Sequence, residues 1–278
     1  MTHIALSPPP DRVAALTMYD LPEVRAVTDA LWRAVAARLS DSGVDRIPAV
    51  LTRSRPIEAL WRDPRLLLAQ SCGYPLLTSL QGAVRLVATP RYRAPGCDGP
   101  FYRSAIVVAA TSPATSLAAL RGGLCVANEP ASNSGVNLLR AAVARLAGGQ
   151  RFFRDLLWSG SHRRSLAMVG NGEADVAAID CVTFELLRKS APAITAGVRV
   201  LAWSEASPGL PLITAAATDD QTVSILQAAL TDIAADRIVR PVLDALLIDG
   251  FDTLSLDVYK RIAALERDAV ARGYPVLA

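Results

Sequence analysis

Short apolar segments alternate with amphipathic helical stretches along almost the whole 278-residue chain. Segments 66–70 and 124–127 are short, apolar and bounded by turn residues, as buried strands are. Val24, Leu31 and Leu39 instead recur at helical spacing. The alternation predicts the α/β class, in which helices cover the faces of a mostly parallel sheet.

The remaining elements follow from the same two patterns of apolar residues. The predicted strands are 13–18, 47–52, 66–70, 84–89, 104–110, 124–127, 155–158, 175–179, 198–203 and 212–217. The predicted helices are 22–39, short ones near 57–61 and after the turn 72–75, then 135–147, 162–170 and 182–189, with a mostly helical C-terminal part to about 275.

The middle of the chain contains a complete α/β unit, whereas the N-terminal part lacks its last elements and the C-terminal part is mostly helical. In the simplest assembly, residues 1–105 together with 205–278 form one lobe, and residues 106–204 form the other. Strand-like segments near 104–110 and 198–205 would then cross between the lobes as a hinge. We therefore expect a ligand cleft between two lobes.

Charge and composition exclude several classes of protein. The 29 basic and 26 acidic residues are spread along the chain, so no basic stripe suggests a nucleic-acid partner. No segment approaches the ~20 consecutive apolar residues of a membrane span, and residues 1–10 lack the pattern of an export signal. The four cysteines match no zinc or redox motif, but Cys72 and Cys97 flank Gly-rich turns and could form a disulfide in an oxidising compartment.

Polar or aromatic residues follow five of the predicted strands. Ligands of open α/β sheets bind beyond the carboxyl ends of the strands, so these positions are candidate site residues. They are Tyr19, Tyr74, the segment 128–137, His162 and Asp180.

Within the segment 128–137, Ser132, Asn133 and Ser134 supply short side-chain donors, and Gly135 lets the backbone approach a ligand closely. The first turn of a helix has unpaired N–H groups and a partial positive charge, so it favours an oxyanion. A helix cap would explain an isolated Ser-Asn-Ser. Three consecutive donors exceed what a cap needs, and we expect an oxyanion site here.

His162 falls in the first turn of the next predicted helix, after the plausible cap Ser161. It could donate to a ligand across the cleft, or it could simply start the helix. The only other histidine is His3, so we expect no multi-histidine metal site and no metal.

Asp180 restricts the ligand, because a carboxylate repels an anion that carries neither a proton nor an ammonium group. Phosphate, phosphite, phosphonates and aminophosphonates satisfy this condition, whereas sulfate does not. Alternatively, Asp180 caps the helix 182–189. Tyr19 and Tyr74 could donate phenolic hydrogen bonds from the other lobe, or pack over a helix end.

Taken together, these motifs resemble those of the phosphonate/phosphate-type substrate-binding proteins of ABC transporters. The resemblance rests on MYD (18–20), SCGYPL (71–76), NEPASNSGVN (128–137), SGSH (159–162) and GEADVAAID (172–180). It implies the two-lobed type II periplasmic binding protein fold, in which each lobe is a mixed sheet flanked by helices. The ligand would then be contacted by Tyr19, Tyr74, Ser132, Asn133, Ser134, His162 and Asp180. The usual loop is Ser-Thr-Ser, so Asn133 is a departure that leaves the preferred anion open.

The expected function is a solute-binding protein that closes its lobes around a small phosphonate-, phosphate- or phosphite-like anion and presents it to an ABC permease or a sensor. We expect a monomer without cofactor or catalysis, and the resemblance implies the periplasm. Two alternatives remain. One is an enzyme on the same fold, with His162 as acid or base and Asp180 as its partner. The other is a binder of an aromatic or pyrimidine-like solute stacked on Tyr19 or Tyr74.

Overall fold

The computed structural model describes residues 12–278, so the predictions for His3 and the N-terminal segment 1–10 lie outside the described residues. The strands are β1 (Val13–Ala15), β2 (Leu66–Gln70), β3 (Val84–Tyr92), β4 (Phe101–Tyr102), β5 (Ser104–Ala109), β6 (Leu124–Ala127), β7 (Asp155–Trp158), β8 (Val176–Asp180), β9 (Val198–Trp203), β10 (Ser207–Pro208), β11 (Leu212–Ala215) and β12 (Ile248–Asp252).

The helices alternate with these strands, as the sequence predicts. They are α1 (Arg25–Asp41), α2 (Ile57–Trp61), α3 (Gly73–Leu77), α4 (Leu138–Ala147), α5 (His162–Gly170), α6 (Cys181–Ser190), α7 (Pro192–Thr195), α8 (Asp220–Ala235), α9 (Arg240–Ala245) and α10 (Leu256–Ala271). A π-helical turn, Asn133–Asn137, leads directly into α4, and a 3-10 turn occupies Leu117–Leu120. Across residues 12–278, no helix combines the length and the apolar character that a membrane crossing requires.

The strands form two five-stranded mixed sheets. The first has the order β1-β2-β11-β3-β12, with β1 parallel to β2 and β11 antiparallel to both of its neighbours. The second has the order β7-β6-β8-β5-β9, with β6 parallel to β7 and β8, and β5 antiparallel to β8 and β9. This confirms an α/β chain with two lobes, each a mixed sheet flanked by helices.

The chain passes between the lobes through a short antiparallel ribbon. This ribbon pairs β4 with β10, with Ser207 opposite Tyr102 and Pro208 opposite Phe101. The strands predicted to cross between the lobes, β5 and β9, instead lie wholly within the second sheet. The apolar residues of β5 are buried because the strand sits between β8 and β9. The crossing is therefore shorter than predicted.

Two further elements differ from the sequence predictions. Segment 47–52 forms no strand, because Pro48 lacks a backbone donor and Val50 is 73% exposed. Strand β12 was not predicted, since Asp249, Gly250 and Asp252 interrupt its apolar pattern. It forms by antiparallel pairing with the edge of β3, a contact that the local sequence does not reveal.

The C-terminal end of the chain contacts both lobes. Helix α10 packs against α3 of the first lobe and against α4 of the second. Ala269, Tyr274 and Leu277 join the hydrophobic core beneath the second sheet. The backbone N–H of Phe152 also donates to the carbonyl of Ala278 at 2.8 Å. The last residues thus hold the two lobes together on the side of α4.

Candidate functional site

A pocket of about 310 Å³ lies between the two lobes, where β1, β6, β7 and β8 end. Its two walls differ in chemistry. Polar side chains dominate the wall of the second lobe: Asn128, Glu129, Ser132, Ser134, His162, Asp180 and Thr183. Apolar side chains dominate the wall of the first lobe, where Met18, Leu21, Ile57, Trp61 and Leu210 lie beside Tyr19.

Three helical segments of the second lobe begin at this pocket. Ser132 Oγ accepts from the N–H of Gly135 at 2.9 Å at the start of the π-helical turn, and Ser161 Oγ accepts from the N–H of Arg164 at 3.2 Å at the start of α5. Asp180 Oδ1 accepts from the N–H groups at the start of α6. The capping role considered for Ser132 and Asp180 is therefore confirmed. It places three partially positive helix ends around one cavity.

Ser134 and His162 form the closest polar pair of the pocket, with Ser134 Oγ 2.8 Å from His162 Nε2. Burial lowers the pKa of His162 to about 4, so its imidazole is neutral at neutral pH. The other ring nitrogen, Nδ1, is buried without a hydrogen-bond partner among the described residues. A neutral imidazole with one unused nitrogen can serve a ligand either as donor or as acceptor, according to its tautomer.

Asp180 and Tyr19 link the lobes at the base of the pocket. The Tyr19 hydroxyl donates to Asp180 Oδ2 at 2.9 Å, and both residues are buried. Burial raises the pKa of Asp180 to about 6, although hydrogen bonds from the Thr183 N–H and from Tyr19 oppose this. The hydrogen bonds of Asp180 go to Tyr19 and to α6 rather than to His162, so the structure does not form the His162–Asp180 pair considered for an enzyme.

Asn133 does not face the pocket. Its Nδ2 donates to the Tyr102 hydroxyl and to Ser207 Oγ, both at 2.9 Å, and its Oδ1 accepts from Asn137 Nδ2. The side chain thus fixes the loop to the ribbon of β4 and β10. The amide is fully buried and hydrogen-bonded within the protein, so the ligand contact expected for Asn133 stays a prediction that this arrangement does not favour.

Gly135 also lies outside the pocket lining. A Cβ atom at this position would stand 1.9 Å from Asn128 Oδ1, which is far closer than real Cβ contacts come. The glycine therefore allows the close approach of the Asn128 side chain, and the approach to a ligand expected from the sequence stays a prediction.

Tyr74 is the third predicted residue outside the pocket. Its hydroxyl lies 3.0 Å from both carboxylate oxygens of Glu266 and donates its single proton to this carboxylate, which ties α3 to α10. Arg140 of α4 also pairs with Glu266, at 3.1 Å. Tyr74 therefore belongs to the contact between α3 and α10 and is not among the residues that line the pocket, so its ligand contact stays a prediction.

Several lining residues were not named individually as ligand contacts in the sequence analysis, although Asn128 and Glu129 belong to the candidate segment 128–137. Asn128 and Glu129 precede the Ser-rich loop, and their position after β6 was the available signal. Asn128 Oδ1 is buried without a partner among the described residues. The pKa of Glu129 is raised by burial and by the nearby charge of Glu58. Trp61 does not follow a predicted strand, and an aromatic residue on a short helix usually packs in the hydrophobic core.

Charged groups near the pocket mouth are paired. Arg163 Nη1 of the second lobe contacts Glu23 Oε1 of the first at 2.6 Å, so this ion pair bridges the lobes. Asp20 accepts from Arg53 through both of its oxygens. Among the described residues, no group of three or more His, Cys, Asp or Glu side chains could hold a metal ion.

The four cysteines are free thiols. Cys72 is buried at the pocket, and this burial raises the pKa of its thiol. Cys97 lies instead against Cys181, with 3.4 Å between the two Sγ atoms. The structure thus brings Cys97 to a different thiol from the one that its sequence neighbourhood suggested.

Solved structures of several binding proteins share this fold. A binding protein component of an ABC phosphonate transporter from Pseudomonas aeruginosa superposes with a TM-score of 0.75 and 18% identity, covering 95% of this chain and 87% of that one. PhnD1 from Prochlorococcus marinus, solved with methylphosphonate, superposes with a TM-score of 0.71 and 18% identity, covering 93% of this chain and 97% of that one. XAC2383 from Xanthomonas citri, solved with chloride, superposes with a TM-score of 0.70 and 18% identity, covering 94% of this chain and 98% of that one. The likeness establishes the type II periplasmic binding protein fold.

No protein with a curated functional description matches this chain significantly. Residues 22–259, however, match the family described as "ABC transporter, phosphonate, periplasmic substrate-binding protein". The matched range contains all the polar lining residues of the second lobe, from Asn128 to Thr183. A solute-binding role agrees with a pocket walled by both lobes. The chain therefore belongs to the family of periplasmic substrate-binding proteins of phosphonate ABC transporters.

Proposed function

We propose that the pocket between the lobes binds a small phosphonate- or phosphate-like oxyanion and that the lobes close around it for delivery to an ABC permease. The observation that carries the proposal is the meeting of three helix N-termini at one cavity that also contains Ser132, Ser134 and His162. Such N-termini favour anions, because their dipoles are positive and the caps accept from only some of their first N–H groups.

Neutral donors, rather than a buried cation, would hold the anion. His162 is neutral, and Arg163 at the mouth is already paired with Glu23. The start of α6 is compensated by the Asp180 carboxylate, whereas the π-helical turn and α5 carry only serine caps. We therefore place the oxyanion against the serines and His162, at the starts of the π-helical turn and α5.

Of the three carboxylates that line the pocket, Asp20 is paired with Arg53, and the other two restrict the anion. Asp180 and Glu129 both line the pocket, and a fully ionised anion beside them would be repelled. A ligand that retains a proton or carries an ammonium group removes this repulsion. The apolar side chains of Met18, Ile57 and Trp61 opposite suit an organic substituent. We therefore favour an organophosphonate, with or without an amine, over inorganic sulfate.

Contacts between the lobes support the closing movement. The Tyr19 to Asp180 hydrogen bond lies at the base of the pocket and the Arg163–Glu23 ion pair lies at its mouth. The chain crosses between the lobes through the short ribbon of β4 and β10, and the segment after α10 also reaches the core of the second lobe. Rigid lobes can rotate about short crossings of this kind.

Isothermal titration calorimetry of the purified chain at pH 7.5 tests the ligand class. The panel contains methylphosphonate, aminoethylphosphonate, phosphate and phosphite, with sulfate as the matched anion that lacks a proton. We expect binding of at least one phosphorus oxyanion and much weaker binding of sulfate. Sulfate binding as tight as the best phosphorus ligand, or no binding below millimolar concentration, would contradict the proposal.

The variant His162→Ala tests whether this pocket is the binding site. We expect affinity for the best ligand to fall by ~1–3 kcal/mol, the range for losing a hydrogen bond to a charged group. Arg164→Ala is the matched control, because Arg164 is the exposed second residue after His162 in α5 and does not line the pocket. Equal affinities for both variants and the wild type would move the site elsewhere.

A further inference from the structure

Two thiols from different parts of the fold meet at the junction of the lobes. Cys97 lies in the loop between β3 of the first sheet and β4 of the ribbon, and Cys181 is the first residue of α6 in the second lobe. Their Sγ atoms are 3.4 Å apart. The residues are 84 positions apart in sequence, so the contact is purely tertiary.

The local packing holds the two thiols against each other. Cys181 is 1% exposed, and its N–H donates to the carbonyl of Arg103 next to the ribbon. A Cβ atom placed on Gly96 would lie 3.2 Å from the Cβ of Cys181, so the Cys97 loop runs close against the start of α6. Gly96 has a φ of +98°, a conformation that side chains rarely adopt, and this brings the loop in close.

We propose that Cys97 and Cys181 are a redox-active pair that closes into a disulfide between the Cys97 loop and the start of α6. The thiols differ in access, since Cys97 is only partly buried whereas Cys181 is buried. The family to which the chain belongs is periplasmic, and disulfides form and persist in that oxidising compartment. Cys72 and Cys125 are both buried, and among the described residues neither makes a thiol–thiol contact of this kind.

The reaction balances with a small-molecule disulfide as oxidant. The thiolate of Cys97, the more accessible residue, attacks a sulfur of oxidised glutathione, and one glutathione thiolate leaves. The thiolate of Cys181 then attacks the Cys97 sulfur of the mixed disulfide and expels the second glutathione. The two cysteines lose two electrons, and oxidised glutathione is reduced to two thiols that take up the two protons.

Asp180 directly precedes Cys181 and lines the pocket, so the bond would tie a pocket residue to the ribbon side of the first lobe. It would restrain any separation of the Cys97 loop from α6. This consequence rests on the lobe movement proposed above, whereas formation of the disulfide does not.

Peptide mapping of the full chain tests the bond without reference to ligand binding. The protein is incubated with oxidised glutathione or with dithiothreitol, alkylated and digested with trypsin. Cleavage after Arg93, Arg103, Arg164 and Arg188 isolates the peptides 94–103 and 165–188, which carry Cys97 and Cys181. We expect these peptides to be linked in the oxidised sample and separately alkylated in the reduced one.

Two serine variants serve as controls for this mapping. On oxidation, the number of free thiols should stay the same in Cys97→Ser. In Cys72→Ser it should fall by two, as in the wild type. A link between Cys72 and Cys97, or four alkylated cysteines after oxidation, would overturn the proposal. Failure of every ligand to bind would leave this result unaffected, so the two proposals fail separately.

Small-angle scattering without ligand measures the restraint. The oxidised wild type should show a smaller or less variable radius of gyration than the reduced wild type, and Cys97→Ser should show no redox response. An identical radius in both redox states, with the disulfide present by peptide mapping, would overturn the restraint across the lobes.

Discussion

Asp180 shows how one buried carboxyl group can serve several contacts at once. It caps α6 through Oδ1, accepts from Tyr19 through Oδ2, and lines the pocket. These hydrogen bonds stabilise its ionised form, but burial outweighs them and raises the pKa to about 6. The sequence placed Asp180 correctly at the end of β8. Only the tertiary structure reveals its contact with Tyr19, 161 positions away.

The raised pKa of Asp180 makes a testable contribution to stability. The folded-state pKa of about 6 lies above the ordinary aspartate value of 3.8, so the folded protein binds more protons than the unfolded chain between these pH values. The stability that protonation of Asp180 supplies is therefore lost as pH rises through about 6. The free energy of unfolding of Asp180→Asn, relative to that of the wild type, should therefore increase by roughly 2 kcal/mol from pH 4.5 to pH 8. Urea unfolding at both pH values measures this gain.

His162 titrates in the wild type and in Asp180→Asn alike, so its contribution cancels from the difference. Asp232→Asn, which removes an exposed carboxylate on α8, controls for a general change of net charge. A stability difference for Asp180→Asn that is the same at pH 4.5 and pH 8 would show that the Asp180 pKa is not raised in the folded protein.

Among the elements, the π-helical turn before α4 depends on a close approach that only glycine allows. Gly135→Ala places a Cβ atom 1.9 Å from Asn128 Oδ1, and Asn128 is itself buried at the pocket. Overpacking of this kind costs about 1–3 kcal/mol. We expect Gly135→Ala to lower the melting temperature measured by differential scanning calorimetry, and to weaken ligand binding by displacing Asn128.

The double variant Gly135→Ala, Asn128→Ala should recover much of this loss, because the clashing oxygen is gone. Gly170→Ala in α5 is the control, since its Cβ would meet nothing closer than 3.6 Å and alanine favours a helix. If Gly135→Ala is as stable as Gly170→Ala, the approach to Asn128 does not limit the turn.

The elements also show where local pattern suffices. Strands β2, β6 and β7 and helix α5 have the predicted bounds, because their apolar periodicity is undisturbed and turn residues flank them. The strand predicted at 47–52 is absent, and β12 was not predicted, for opposite reasons. The first is apolar without a pairing partner, whereas the second is polar but pairs with the edge of β3.

At the scale of the whole molecule, the Arg163–Glu23 ion pair bridges the pocket mouth at 2.6 Å. Both side chains are partly exposed, so the pair should contribute little to stability, typically below about 1 kcal/mol. Under the proposed closing movement, Glu23→Gln should instead speed ligand release up to about fivefold, with a nearly unchanged melting temperature, because separation of the lobes would break the ion pair.

Stopped-flow displacement of the best ligand measures the release rate, with Asp232→Asn as the control for a lost surface carboxylate. High salt should reduce the difference between Glu23→Gln and the wild type, since exposed ion pairs are screened. Unchanged release from Glu23→Gln at low salt would show that the ion pair does not hold the lobes closed.

The sequence by itself determined the α/β class, the two-lobed organisation and the strand ends that carry Tyr19, Ser132, Ser134, His162 and Asp180, because these follow from apolar periodicity and from the geometry of strand ends. The tertiary structure alone decided which way the side chains face. It directs Asn133 to the ribbon and Tyr74 to Glu266, and it brings Cys97 to Cys181. Such contacts join residues far apart in sequence, and no local pattern encodes them.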